Sequence, residues 1–278
     1  MEKKGAFVLK KKLRKILSAI LAVVCVVSGG LYIGFLLNFR SGNDTYSEAE
    51  RIAMAADIPA VTEKHLTESP GEEPRWVPLP VEDDPNMAEL AKKSLTALRQ
   101  ENEDVAAWIW IPDTPVNYPV MQGADNDFYL KHTWLKEENP MGSIFLEWQN
   151  EADLSEFNTI VYGHSMNSGD MFGSLQKYRY TDHRNAHPYV YILTDAGVWR
   201  YEIFSAYEAQ VGSDTYRIGM RQEKTKKDYL YTILDSSVID CGILPALTDR
   251  ILTLSTCSGM GYESRWVVHA YLPMELTQ

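Results

Sequence analysis

Apolar positions fall into three regimes along this chain. From Ile16 to Leu37 they are continuous, 22 residues without a charge. As a helix rising about 1.5 Å per residue, that run is long enough to cross a bilayer. From residue 38 to 86 no apolar period is sustained, and Pro70, Pro74, Pro78, Pro80 and Pro85 stand among acidic residues, which predicts an extended stalk. Next, Met87, Leu90, Ala91, Ser94 and Leu98 keep helical spacing, predicting a helix over 86–100 with Asn86 as N-cap and Glu89 three residues on.

Beyond residue 106 the pattern changes to short runs rich in Val, Ile, Tyr, Phe and Trp, each bounded by Gly, Pro, Asn or Asp. They span 107–111, 116–121, 143–147, 159–162, 189–194, 198–207, 250–256 and 265–272. Eight candidate strands predict a mainly β domain, a barrel or a sandwich. Thr194-Asp195-Ala196-Gly197 supplies the turn of a hairpin. Between the sixth and seventh strands, Leu230, Ile233, Leu234 and Ser237 share one helical face, predicting a helix within 222–238.

Charge divides the chain more sharply than its overall −11 suggests. Residues 1–40 carry eight Lys/Arg against Glu2 alone, which leaves the remainder at −18. Seven of the eight precede the apolar run and only Arg40 follows it, so the positive-inside rule places residues 1–15 in the cytoplasm and everything after residue 37 outside. A cleaved secretory signal is the rival reading. The run is longer than a usual signal core and lacks a clear cleavage site, so an uncleaved anchor over 16–37 is expected. An exterior this acidic repels a phosphate backbone and disfavours nucleic acid as a partner.

Three places could carry chemistry. Residues 159–164 read as a strand leading into His164 and a Gly-rich loop, which would hold the imidazole on rigid backbone; the plainer alternative is a histidine that caps the loop. Residues 251–257 read as a strand ending in Cys257, and outside the cell a thiol at a strand mouth calls for a chemical reason. Arg265 opens the next strand, eight residues on. If the two strands form an antiparallel hairpin, guanidinium and sulfur can share a pocket where Arg265 donates to a developing oxyanion; a surface ion pair is the alternative. Cys241 reads as structural, with a bridge to Cys257 left open. Asp125, Asn126 and Asp127 lack the remaining spacing of a calcium loop, and His183 and His187 lack zinc partners, so no metal or cofactor is expected.

Taken together, TLSTC at 253–257, Arg265 followed by WVVHAYL, and YGHSMNSGDMFGSL at 162–175 resemble a sortase of class B. The stretches 108–132 and 142–148 resemble the early strands of that class. The resemblance covers about 87–272 and implies a closed eight-stranded β-barrel with N-terminal helices and a long helix between strands six and seven. It implies Cys257 as nucleophile, His164 as the group that handles protons and Arg265 as the oxyanion donor. Ser255 and Thr256 become candidate substrate contacts. Ser258 stands where some members have an acidic residue. The implied domain is 87–278.

The implied reaction is transpeptidation at a Gram-positive cell surface. A C-terminal sorting signal of a secreted protein would be cleaved through a thioester on Cys257, and the acyl group passed to an amine of a peptidoglycan precursor or to a pilin Lys. Two other readings use the same residues: a secreted cysteine peptidase with water as acceptor, and a wall-binding β-barrel that performs no chemistry.

Overall fold

The computed structural model describes residues 2–55, 75–79, 81, 84–257 and 263–276, with backbone only for residues 2–16, Ala19 and Cys257. The chain divides into two compact units, Met1–Asp44 and Thr45–Gln278. The first unit lies within a long helix, α1 (Glu2–Ala55), and contains a stretch apolar enough to span a membrane, with a mean hydropathy of 2.5. Apolar side chains along it are exposed, Leu17, Val26 and Leu31 among them.

The second unit is built on a closed barrel. Its strands are β2 (Val105–Trp110), β3 (Asn117–Met121), β4 (Ile144–Leu146), β5 (Asn158–Tyr162), β6 (Tyr189–Thr194), β7 (Gly197–Gln210), β8 (Arg250–Cys257) and β9 (Ser264–Leu272). Around the barrel they run β2, β3, β4, β5, β8, β9, β7, β6. These are the eight runs that the apolar pattern predicts, and closure leaves none of them with an unpaired edge. Two neighbouring pairs, β3 with β4 and β5 with β8, are parallel, and the rest are antiparallel. A short strand, β1 (Trp76–Pro78), pairs with β10 (Met274–Leu276) in a separate two-stranded sheet. The predicted turn is present, with Thr194 opposite Gly197.

Side chains such as Trp108, Ile109, Val120, Ile192, Leu252 and Val268 are buried in the barrel domain. A further apolar cluster forms where α5 (Glu223–Asp235) lays Tyr229, Leu230 and Ile233 against Phe157, Phe204, Ile251 and Val267. This is the helix expected between the sixth and seventh barrel strands.

Two expectations change. The helix predicted over 86–100 is two helices, α2 (Pro85–Leu90) and α3 (Leu95–Glu101). Asp84, rather than Asn86, caps the first by accepting from Asn86 N at 2.9 Å. Ser94 is not part of an apolar stripe: its hydroxyl accepts from Ala97 N at 3.2 Å and starts the second helix. In place of an extended stalk from residue 38, α1 continues to Ala55, and within the second unit Tyr46, Ala49 and Ala53 are buried against the barrel domain. Lys93 pairs with Glu50 at 2.8 Å, and Ser94 N donates to Ala53 O. The rest of the expected stalk includes β1; residues 56–74 lie outside the described residues.

Candidate active site

Strand pairing brings the three candidate positions to one level. In the β8–β9 hairpin Cys257 is the register partner of Arg265. On the other side of β8, the parallel β5 runs from Asn158 opposite Ile251 to Tyr162 opposite Ser255, and Gly163 N continues the ladder onto Ser255 O at 3.1 Å. Two residues past Tyr162, His164 is therefore level with Cys257. Three adjacent strands end, or begin, at the same height. The Cys257 side chain and residues 258–262, Ser258 included, lie outside the described residues.

His164 is half-buried and closely held. Phe172 N donates to its carbonyl at 2.9 Å, and its ring Nε2 lies 2.7 Å from Leu130 O. A carbonyl oxygen only accepts, so Nε2 carries a proton in both charge states, and Nδ1 is the nitrogen that gains and loses one. Gly163 is required just before it, because a Cβ there would meet Ile144 Cδ1 at 2.4 Å and the Phe172 ring at 2.9 Å. Gly142 packs beside the imidazole at φ +58°. A Cβ on it would lie 2.7 Å from Leu130 O and 3.0 Å from His164 Cδ2.

Arg265 is half-buried, and one of its terminal nitrogens donates to Ser264 O at 3.0 Å. Ser255 is buried, with its hydroxyl 3.0 Å from Tyr216 OH. Thr256 is also buried, and its hydroxyl has no hydrogen-bond partner among the described residues. Tyr216 in turn stacks on Tyr162, ring centroids 6.3 Å apart, and Tyr162 donates to Glu147 at 2.9 Å. Burial and the neighbouring Glu147 carboxylate push the Tyr162 phenol well above its usual range, so it remains a donor at neutral pH. Sequence reading does not point to Tyr216, Tyr162, Glu147 or the Leu130 carbonyl. A Tyr on a β8-facing loop carries no motif, and a backbone acceptor leaves no trace in residue type.

The remaining candidates stand apart from this level. Cys241 is a free thiol, so the bridge to Cys257 left open by the sequence is not formed; burial raises its pKa, which disfavours the thiolate. Asp125 accepts from Asp127 N and Phe128 N, the hydrogen bonds of a turn. His183 and His187 lie with ring centroids 4.6 Å apart, and among the described residues no group of three metal-ligating side chains forms.

The chain matches the sortase domain over residues 109–273. It is 37% identical over 168 residues to sortase B of Listeria monocytogenes, covering 60% of this chain and 68% of that protein. Among solved structures, a Staphylococcus aureus sortase B–substrate complex superposes with a TM-score of 0.60 at 30% identity, over 66% of this chain and 84% of that one. Sortase B from B. anthracis in complex with AAEK1 gives a TM-score of 0.66 at 28% identity, over 86% and 100%.

Proposed function

Because the chain belongs to the sortase family, as a cysteine transpeptidase of the sortase B type, we propose that Cys257, His164 and Arg265 are its catalytic residues and that it sorts secreted proteins at the cell surface. The observation that carries this reading is the common level of the three positions, on β8, on β9 and just past the end of β5.

Cys257 as thiolate attacks a backbone carbonyl near the C-terminus of a sorting signal, forming a C–S bond, while Arg265 donates to the oxyanion. His164 gives the Nδ1 proton to the departing amine as the C–N bond breaks, leaving a thioester. An incoming amine attacks, its proton passes to Nδ1, a new C–N bond forms and the thiolate departs. The energy of the first peptide bond is thereby conserved in the second, without a nucleotide. Ser255 and Thr256, in the strand leading to the nucleophile, are the candidate substrate contacts. The acceptor is an amine of a peptidoglycan precursor or a pilin Lys. The apolar helix over 16–37 anchors the enzyme, with its basic flank in the cytoplasm and the barrel outside. Tethering concentrates it where exported substrate and lipid-linked acceptor both arrive.

The test is incubation of the full chain in detergent with a panel of sorting peptides and amines, with products read by mass. The expected result is an acyl adduct absent from Cys257→Ala and a product that incorporates the added amine. Proteolysis indifferent to amines would instead identify a peptidase, and peptide binding unchanged in Cys257→Ala with no product in either protein would identify a binding module.

A further inference from the structure

We propose that Tyr46, near the end of α1, is a positioning residue for His164; this rests on the reading of His164 as the proton-handling group. Tyr46 is buried, and its single ring reaches both supports of the imidazole. On one side its hydroxyl donates to Gly142 O at 2.5 Å and lies 3.1 Å from Ser143 Oγ. Gly142 packs against both the His164 ring and the Leu130 carbonyl that accepts from Nε2. Ser143 N in turn donates to Tyr129 O, one residue before that carbonyl. On the other side the Tyr46 ring meets Tyr118 edge to face, with centroids 5.3 Å apart. Tyr118 OH accepts from Met171 N at 3.1 Å, and the next residue, Phe172, holds the His164 carbonyl. Met171 has φ +52°, a conformation that a non-glycine residue keeps only when its surroundings impose it.

A second contact from the same turn of helix reinforces the first. Trp134 Nε1 donates to Thr45 O at 2.7 Å, so residues 45 and 46 grip the loop between β3 and β4 at two points, Trp134 and Gly142. The helix is docked independently of these contacts by Ala49, Ala53 and the Glu50–Lys93 pair. Tyr46→Phe therefore removes the hydroxyl contacts and keeps both the ring and the docking. With Gly142 released, the Leu130 carbonyl drifts from Nε2, and a hydrogen bond that favours the imidazolium weakens.

The experiment compares Tyr46→Phe, Glu50→Gln and His164→Ala in the full chain in detergent, measuring kcat, KM, thermal midpoint and the NMR titration of the His164 Cε1 proton. For Tyr46→Phe the expected result is a roughly tenfold lower kcat with KM little changed, and a His164 titration midpoint moved to lower pH. Glu50→Gln, which loosens the same helix without touching the loop, should leave both kcat and the midpoint where they were. Three outcomes would overturn the inference. Normal kcat and midpoint in Tyr46→Phe, with His164→Ala inactive, would remove the brace and leave the catalytic assignment standing. Equal losses in Tyr46→Phe and Glu50→Gln would reduce Tyr46 to a docking contact. Turnover surviving in His164→Ala would remove the assignment itself.

Discussion

The two halves of the candidate site are built by different means. Cys257 and Arg265 face one another across a hairpin, and their level is fixed by eight consecutive register pairs from Arg250–Leu272 to Cys257–Arg265. His164 lies just past the end of β5, and its ring is aimed by a loop whose own shape depends on Gly142, Ser143, Trp134 and a tyrosine from a distant helix. A backbone ladder runs through the first half, whereas on the second it stops at Gly163 and contacts from the loop aim the ring. A ladder tolerates most single substitutions because each rung is a small part of it. A chain of individual contacts fails at any one of them.

The sharpest way to test this contrast is to change chemistry on the ladder side and shape on the loop side. Arg265→Lys keeps the charge but loses the planar fork, so kcat/KM should fall roughly a hundredfold or more while the thermal midpoint stays near that of the parent. Gly142→Ala should do the reverse in stability. Its φ of +58° and the backbone oxygens within 2.8 Å of the new Cβ leave no relaxed solution. Chemical denaturation should show a loss of about 2–3 kcal/mol, with turnover reduced as well. If Gly142→Ala were silent in both measurements, the loop would not be the fragile half.

A smaller effect is expected beneath the ladder. His269 on β9 is the register partner of Thr253 on β8, and their side chains lie 3.0 Å apart at Nδ1 and Oγ1, while Nε2 has no hydrogen-bond partner among the described residues. Burial lowers the His269 pKa to about 3, and burial followed by the His187 and Lys177 charges lowers that of His183 to about 4. In this window the unfolded chain binds the extra protons, so stability is fully present above about pH 6.5 and declines as pH falls toward 3. Thermal midpoints measured from pH 7 to pH 4 should fall, and His269→Gln should flatten that slope. The smallest effect belongs to Tyr216→Phe, which removes one hydrogen bond to Ser255 and should cost about 1 kcal/mol in denaturant, with a change in KM larger than that in kcat.

The same contrast explains what was legible in the sequence. The barrel strands could be read because β-branched and aromatic runs between turn residues leave a repeating signature, and the hairpin between β8 and β9 followed from eight residues separating Cys257 and Arg265. Docking of α1 was not legible. Tyr46, Ala49 and Ala53 do follow helical spacing, but two of the three are alanines set among Glu48, Glu50 and Arg51, and the segment reads as a solvated linker. Ser94 misled for a related reason, since its position fits an apolar stripe while its hydroxyl serves as a cap. The Leu130 carbonyl could not be found at all from residue types. Its role depends on Gly142 approaching within a distance that only the folded loop defines.

Strand β8 lies between β5, some ninety residues earlier, and β9, which completes the barrel. A polypeptide that ends between Cys257 and Ser264 carries all of β8 without β9, its antiparallel partner. Such a chain leaves the barrel open along β8, an unpaired edge of the kind that invites pairing with other copies.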